Sequence, residues 1–270
     1  IEYLKFTISS IQKNSNYSHE IIIHVNDGSD GTLDFVKNNN LLYTHSFANI
    51  GLCSSINNAS AKSSTNYILY SHDDMFFCKN WDLYLKNEIQ KYDNKLFYLT
   101  GTNVSVNKGL INFDCGSSPN DFDELKFENF CLNDQSSDLQ GSHWAPHLIH
   151  KDLWIKVGGF SEEFNPGDGS DPDLCMKLWL NGVRIFKTIS KFKVYHFSSV
   201  TTRKSNIVLN NGTKTFLLKY GFNPRFFRRY YLNGEGLNRY TGSLNTPKMT
   251  FNMILDLMIN KLKFLYFKIF

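Results

Sequence analysis

The sequence predicts an α/β protein with a mostly parallel central sheet flanked by helices. Two patterns predict it. Short apolar runs alternate with amphipathic stretches over roughly residues 3–200. Acidic or polar residues then recur where those runs end, and open α/β sheets bind ligands beyond the carboxyl ends of their strands.

The elements follow in order. "IEYLKFTISSIQKN" carries Leu4, Ile8 and Ile11 at helical spacing. Ile21–Val25 is a buried-type strand closed by the turn residues "NDGSDGT". "GTLDFVKNN" reads as a short helix, "LLYTHS" as a strand, and "NIGLCSSINNASAKSS" as a helix of small residues that can pack close to a sheet. "NYILYS" is the next strand, and it runs into "HDDM". "NWDLYLKNEIQKY" places Trp81, Leu85 and Ile89 on one helical face. Residues 102–140 lose periodicity and read as a long loop, a length that usually signals function. "SHWAPHLIHKDLWIKVGGF" gives a strand and a short helix stopped by Gly158 and Gly159. In "NPGDGSDPDLCMKLWLNG", Asp171 is a suitable N-cap, Pro172 suits the first helical position and Gly182 suits the stop. "VRIF" and "FKVYHF" read as two strands. Beyond "TTRKS" the chain turns basic and aromatic, and residues 205–270 are expected to form a helical extension to a domain spanning 1–204.

Composition narrows the classes. A chain of 270 residues with 41% hydrophobic and 20% charged residues can build one sizeable domain with a real core. A formal charge of +4 without a basic aromatic array argues against nucleic acid as a partner. The five scattered cysteines contain no CxxC pair, which fits free thiols in a reducing, cytoplasmic compartment. The last stretch, "FNMILDLMINKLKFLYFKIF", is apolar but broken by Lys261, Lys263 and Lys268. It suits either peripheral contact with a membrane surface or docking on protein.

Three strand ends carry the chemistry. Asn26 and Asp27 close one strand, His72, Asp73 and Asp74 another, and His196 lies in a third. Adjacent aspartates after a strand offer hard oxygen ligands, with a possible imidazole, for Mg²⁺ or Mn²⁺. A solvated Asp-Asp turn accounts for the pair equally, and a lone strand histidine is more often simply packed. Asp171 and Asp173 open a helix behind a glycine-rich loop. A helix N-terminus keeps a carboxylate ionised, as a general base requires, and a plain cap uses the same residue.

The ordered series "VNDGSDGT", "NIGLCSSINNA", "HDDM", "GGFSEEFNPGDGSDPDLCMKLWLNG" and "YHF" resembles the inverting glycosyltransferases of family 2. The resemblance implies a GT-A type nucleotide-diphospho-sugar transferase fold. It implies transfer of a sugar from a nucleotide-diphosphate sugar to an acceptor hydroxyl with inversion, assisted by a divalent metal, Mn²⁺ or Mg²⁺. Residue by residue, Asp171 matches the general base. Asp27, Asn49, His72 and Asp73 match donor-binding positions, and Asp74 and His196 match metal positions. Trp144, His147 and Asp173 fall where residues face a glycan or lipid-linked acceptor. Arg203 and Lys204 can cover the diphosphate or form a solvated basic loop. The pattern implies work in glycan or cell-surface polysaccharide synthesis.

Departures accompany it. The family's first strand would precede Ile1, so neighbouring strands are expected to show unpaired edges, from a fragmentary sequence or a gap filled by another segment. Asn26 replaces a more common aspartate, Ile56 an arginine that often contacts the base, and Ser170 the glutamate before Asp171. A nucleotidyltransferase making a nucleotide sugar and a non-catalytic saccharide-binding relative are the competing readings. The first normally wants a basic, glycine-rich loop near the N-terminus, and the altered motifs make room for the second.

Overall fold

The computed structural model describes residues 1–106, 109–141, 144–197 and 210–269. The chain runs α1 (Glu2–Asn14), β1 (Ile22–Asn26), α2 (Thr32–Asn38), β2 (Leu42–Ser46), α3 (Leu52–Ser60), β3 (Tyr67–Tyr70) and β4 (Met75–Phe77). Then come α4 (Trp81–Ile89), β5 (Phe97–Ser105), β6 (Ile111–Asn112), α5 (Glu124–Asn133), β7 (Leu139–Gln140) and β8 (His147–His150). The domain continues with α6 (Lys151–Val157), α7 (Ser170–Leu180) and β9 (Ile185–His196). Three helices follow: α8 (Gly212–Tyr220), α9 (Pro224–Tyr230) and α10 (Phe251–Ile269).

The main sheet has the order β3-β8-β5-β9-β4, with β6 beside β5 and β7 beside β9. The expected parallel sheet is mixed in its pairing. β5 and β9 are parallel, as are β1 and β2, while β8 runs against both β3 and β5, and β4 against β9. β8 can run antiparallel because the long excursion after β5, which includes α5, re-enters the sheet at the end where β5 leaves it. The core sits on both faces of this sheet and includes Phe77, Tyr98, Leu99, Phe160, Phe186 and Phe192. β1 and β2 form a separate pair with their own small cluster of Ile8, Ile23, Val25 and Val36. No described strand joins β1 to β3.

Three local readings change. Residues 102–140 are not one loop: β5 extends to Ser105, and α5 is capped by Asp123, whose side chain accepts from the Lys126 amide. Phe127 packs in the core while Leu125 and Leu132 are 71% and 77% exposed, and those outward leucines blur the period. "VRIF" and "FKVYHF" belong to one strand, β9, whose pairing with β5 shifts register at Gly101/Thr102. Helix α7 begins at Ser170 behind Gly169, which has φ of 84°, so Asp171 lies inside the first turn rather than at the cap.

Helix α1 shows how the edge of the sheet is closed. Its polar stripe, not only its apolar one, faces inward. Thr7 Oγ1 donates to the Asp73 carbonyl (2.8 Å) and accepts from the Met75 amide (3.1 Å). Ser10 Oγ accepts from the Phe77 amide (3.1 Å), and Asn14 Nδ2 donates to the Phe77 carbonyl (2.7 Å). Side chains at i, i+3 and i+7 thus take the place of a neighbouring strand along β4.

Candidate active site

Antiparallel pairing of β4 with β9 sets Met75 opposite His196, and the Phe197 amide donates to the Asp74 carbonyl (3.1 Å). Residues 122 apart in sequence therefore meet at one strand end. His196 Nε2 lies 3.1 Å from Asp74 Oδ1 and 3.3 Å from His72 Nδ1. All three potential ligand atoms fall within 4.8 Å of one another. One N–H on His196 Nε2 can serve Asp74, but His72 Nδ1 then faces that same N–H. A divalent cation accepts a lone pair from each of the three instead. Two imidazoles and a carboxylate suit Mn²⁺ and its neighbours, so the donor set fits the metal the resemblance implies.

Electrostatics agree. Burial, with His196 nearby, pushes the His72 imidazole down to about 4, so it is neutral and able to ligate at neutral pH. Burial alone would raise the Asp74 carboxyl, but the hydrogen bond and charge of His196 bring it below its usual value, and it stays ionised. His72 thus stands in the ligand cluster rather than beside it. Asp73 points outward and is exposed. Thr7 brackets Asp74 through the backbone on either side, a role hidden because a helix-face threonine looks like simple packing. Thr7→Val is expected to leave the buried Met75 amide without a partner. It should lower stability by about 1–3 kcal/mol in urea unfolding and weaken Mn²⁺ binding as the Asp74 backbone loosens.

The base candidate, Asp171, lies within electrostatic reach of the same tyrosine, Tyr70, as Asp74. Asp171, partly exposed, makes no hydrogen bond or ion pair among the described residues, and burial pushes its carboxyl up to about 7. Tyr70, at the end of β3, is within electrostatic reach of Asp171, Asp73 and Asp74 together. The loop before Asp171 is clamped to the start of α3. Asn165 Oδ1 accepts from the Cys53 amide (2.9 Å), its Nδ2 donates to Ser54 Oγ (2.8 Å), and the Leu52 amide donates to the Pro166 carbonyl (3.1 Å). Gly51, with φ of 81°, is required there, because a Cβ would meet Asn165 Oδ1 at 2.4 Å. Asn165 and Thr7 are the positioning residues that motif reading missed.

On the donor side, Asp27 sits in a left-handed turn (φ 61°), exposed, accepting from Ser29 Oγ (2.8 Å). Asn26 donates to Ser55 Oγ (3.0 Å) and accepts from the Ile50 amide (3.0 Å). That two-way bonding explains an amide at the position where an aspartate is more usual. Asn49 Oδ1 accepts from the Gly51 amide (2.9 Å), an Asx turn that shapes the entry to α3.

Two acceptor expectations are corrected. His147 is 1% exposed, wedged against Tyr70, Tyr98 and Phe160, with Nδ1 on the Tyr98 hydroxyl (2.9 Å). It presents nothing to an acceptor. Asp173 is fully buried, accepting from Ser161 Oγ (2.6 Å) and the Tyr220 hydroxyl (2.7 Å) and paired with Lys219 (2.8 Å). Its place is to fasten α7 to α8, because the second carboxylate of the turn points inward. Trp144 is half-buried with Nε1 toward the Gly101 carbonyl (3.4 Å). Arg203 and Lys204 lie outside the described residues.

A mixed sheet with a histidine–aspartate cluster at its strand ends matches a glycosyltransferase domain of the GT-A fold. The chain belongs to glycosyl transferase family 2, whose model matches residues 1–145. No curated relative matches the chain. The fold is similar to that of GalNAc-T7, solved with UDP, GalNAc and Mn²⁺ (TM-score 0.57, 13% identity, covering 80% of this chain and 45% of that one). It is also similar to Staphylococcus aureus TarS 1-349 in complex with UDP (TM-score 0.51, 15% identity, covering 72% and 56%). The chain therefore spans about half the length of these solved relatives.

Proposed function

We propose that this protein transfers a sugar from a nucleoside-diphosphate sugar to an acceptor hydroxyl, with inversion, using a divalent metal and Asp171 as general base. The observation that carries it is a three-ligand cluster beside Asp171, a carboxylate without a partner among the described residues, with both within electrostatic reach of Tyr70. The UDP and Mn²⁺ held by the solved relatives support a uridine donor and Mn²⁺.

His72, Asp74 and His196 would hold the ion, which when bound supplies positive charge against the leaving diphosphate. Asp27 and Asn49 shape the pocket for the nucleotide end of the donor. The acceptor oxygen forms its bond to the anomeric carbon as the carbon–phosphate oxygen bond breaks, and its proton passes to an Asp171 oxygen. The nucleoside diphosphate leaves, and one displacement inverts the anomeric centre. A base near pKa 7 suits this step, since it is substantially ionised yet basic enough to take the proton. Trp144 stands as the remaining acceptor-side candidate. A glycan or lipid-linked acceptor in cell-surface polysaccharide synthesis is the substrate class, and the unpaired cysteines support a cytoplasmic placement.

Incubation of UDP-sugars with Mn²⁺ tests the proposal. Slow Mn²⁺-dependent release of UDP, with the inverted anomer seen first by NMR, is the expected result. Release of pyrophosphate from a nucleoside triphosphate would show a nucleotidyltransferase instead, and binding without turnover a saccharide-binding protein.

A further inference from the structure

The last helix has two faces and a cationic border between them. At about 100° per residue, Met253, Asp256, Leu257, Asn260, Phe264 and Phe267 share one side, the side that is buried or half-buried against the domain. The opposite side carries Phe251, Ile254, Met258, Leu262, Leu265 and Ile269, all exposed, with Phe251, Leu262 and Ile269 at 74%, 68% and 72%. Lys261 and Lys268 fall along one border between these sides and Lys263 along the other, all exposed. The acid of this helix, Asp256, faces the domain and binds Arg229 (3.2 Å) and the Tyr230 hydroxyl (2.7 Å). The outward face therefore offers apolar side chains and positive charge, with no carboxylate among its described residues.

We propose that α10 lies flat on an anionic lipid surface, its outward apolar face among the acyl chains and its lysines at the headgroups. No described helix is long and apolar enough to cross a membrane, and a two-sided helix with bordering lysines suits the interface. A cavity of about 230 Å³ opens on the Lys263 border, lined by Arg225, Arg229 and Lys263 together with Asn223, Asn260 and Ile259. Glu235 and Asp256 offset two of its three cations, which leaves a net positive mouth. A second copy of the chain fits less well, because apposed faces would bring like-charged lysine borders together.

The placement reaches the catalytic cleft without depending on which sugar is transferred. Helix α10 packs on α8, whose first amide, Gly212 N, donates to Asp168 Oδ2 (2.9 Å), three residues before Asp171.

Flotation with vesicles tests it on the intact chain. Binding to vesicles of phosphatidylcholine and phosphatidylglycerol in equal parts, much reduced on phosphatidylcholine alone and by salt, is expected. Leu262→Asp should abolish that binding, and Lys261→Glu with Lys268→Glu should weaken it by about tenfold or more. Both variants should keep the wild-type melting temperature, since these side chains touch solvent. Three results would overturn the proposal: no binding to anionic vesicles, binding that Leu262→Asp leaves intact, or a solution dimer that Leu262→Asp converts to monomer.

Discussion

Asp171→Asn is expected to lower kcat for sugar transfer by about 10²–10⁴-fold while leaving Mn²⁺ and nucleoside diphosphate binding intact. The amide keeps the shape of the side chain but cannot take a proton. The wild-type rate should rise with pH and level off above about 7, where Asp171 is ionised, and the variant should lose that limb. The same substitution has a stability signature. Folding raises this carboxyl from its usual value near 4 to about 7, so the folded state holds a proton that the unfolded chain has released. Stability from this group is therefore full below pH 4 and falls as pH rises toward 7. Asp171→Asn should be the more stable protein at pH 8, by up to about 4 kcal/mol, and equal to wild type at pH 4. Thermal melts at the two values check this. A variant with full kcat, or one less stable than wild type at pH 8, would remove Asp171 from its role.

Asp74→Ala is expected to abolish the rise in melting temperature that Mn²⁺ and UDP together give the wild type, and to lower kcat/KM by about 10³-fold. That factor corresponds to several kcal/mol of charge stabilisation at the leaving diphosphate. Asp73→Ala is the control. Its side chain faces solvent outside the three-atom cluster, so the Mn²⁺-dependent shift should persist while donor affinity falls. Acidification toward pH 4 should weaken Mn²⁺ binding in the wild type, because protons then compete for the His72 imidazole. Persistence of the shift in Asp74→Ala would place the ion elsewhere.

Much of this was legible in the residue pattern because strand ends mark themselves. Polar residues that follow an apolar run sit at a strand's end whatever the sheet's order, so Asp27 and Asp74 could be named without coordinates, and Asp171 was named from the glycine-rich loop and helix start around it. Strand direction was not legible. Nothing in "HLIH" tells whether β8 runs with β3 or against it, because residues buried on both faces show no alternation in either case. Neither β5 nor β4 is legible in the sequence, and β4, with three residues, has no period to detect.

The second carboxylate of each pair was decided by packing. Asp73 and Asp74 look alike in sequence, as do Asp171 and Asp173. In the structure, Asp74 turns in to meet His196 while Asp73 is exposed, and Asp173 is sealed beneath Lys219 and Tyr220 while Asp171 stays partly exposed. By itself, then, the sequence determined the family, the alternation of strands and helices, and which turns hold the chemistry, because those rest on local composition and spacing. Tertiary structure alone decided that His72 joins Asp74 and His196, that His147 is a core residue, and that Asn165 and Thr7 hold the two halves of the site. Those assignments depend on the β4–β9 register and on helix docking, which bring together residues tens to more than a hundred positions apart, and no local pattern encodes that.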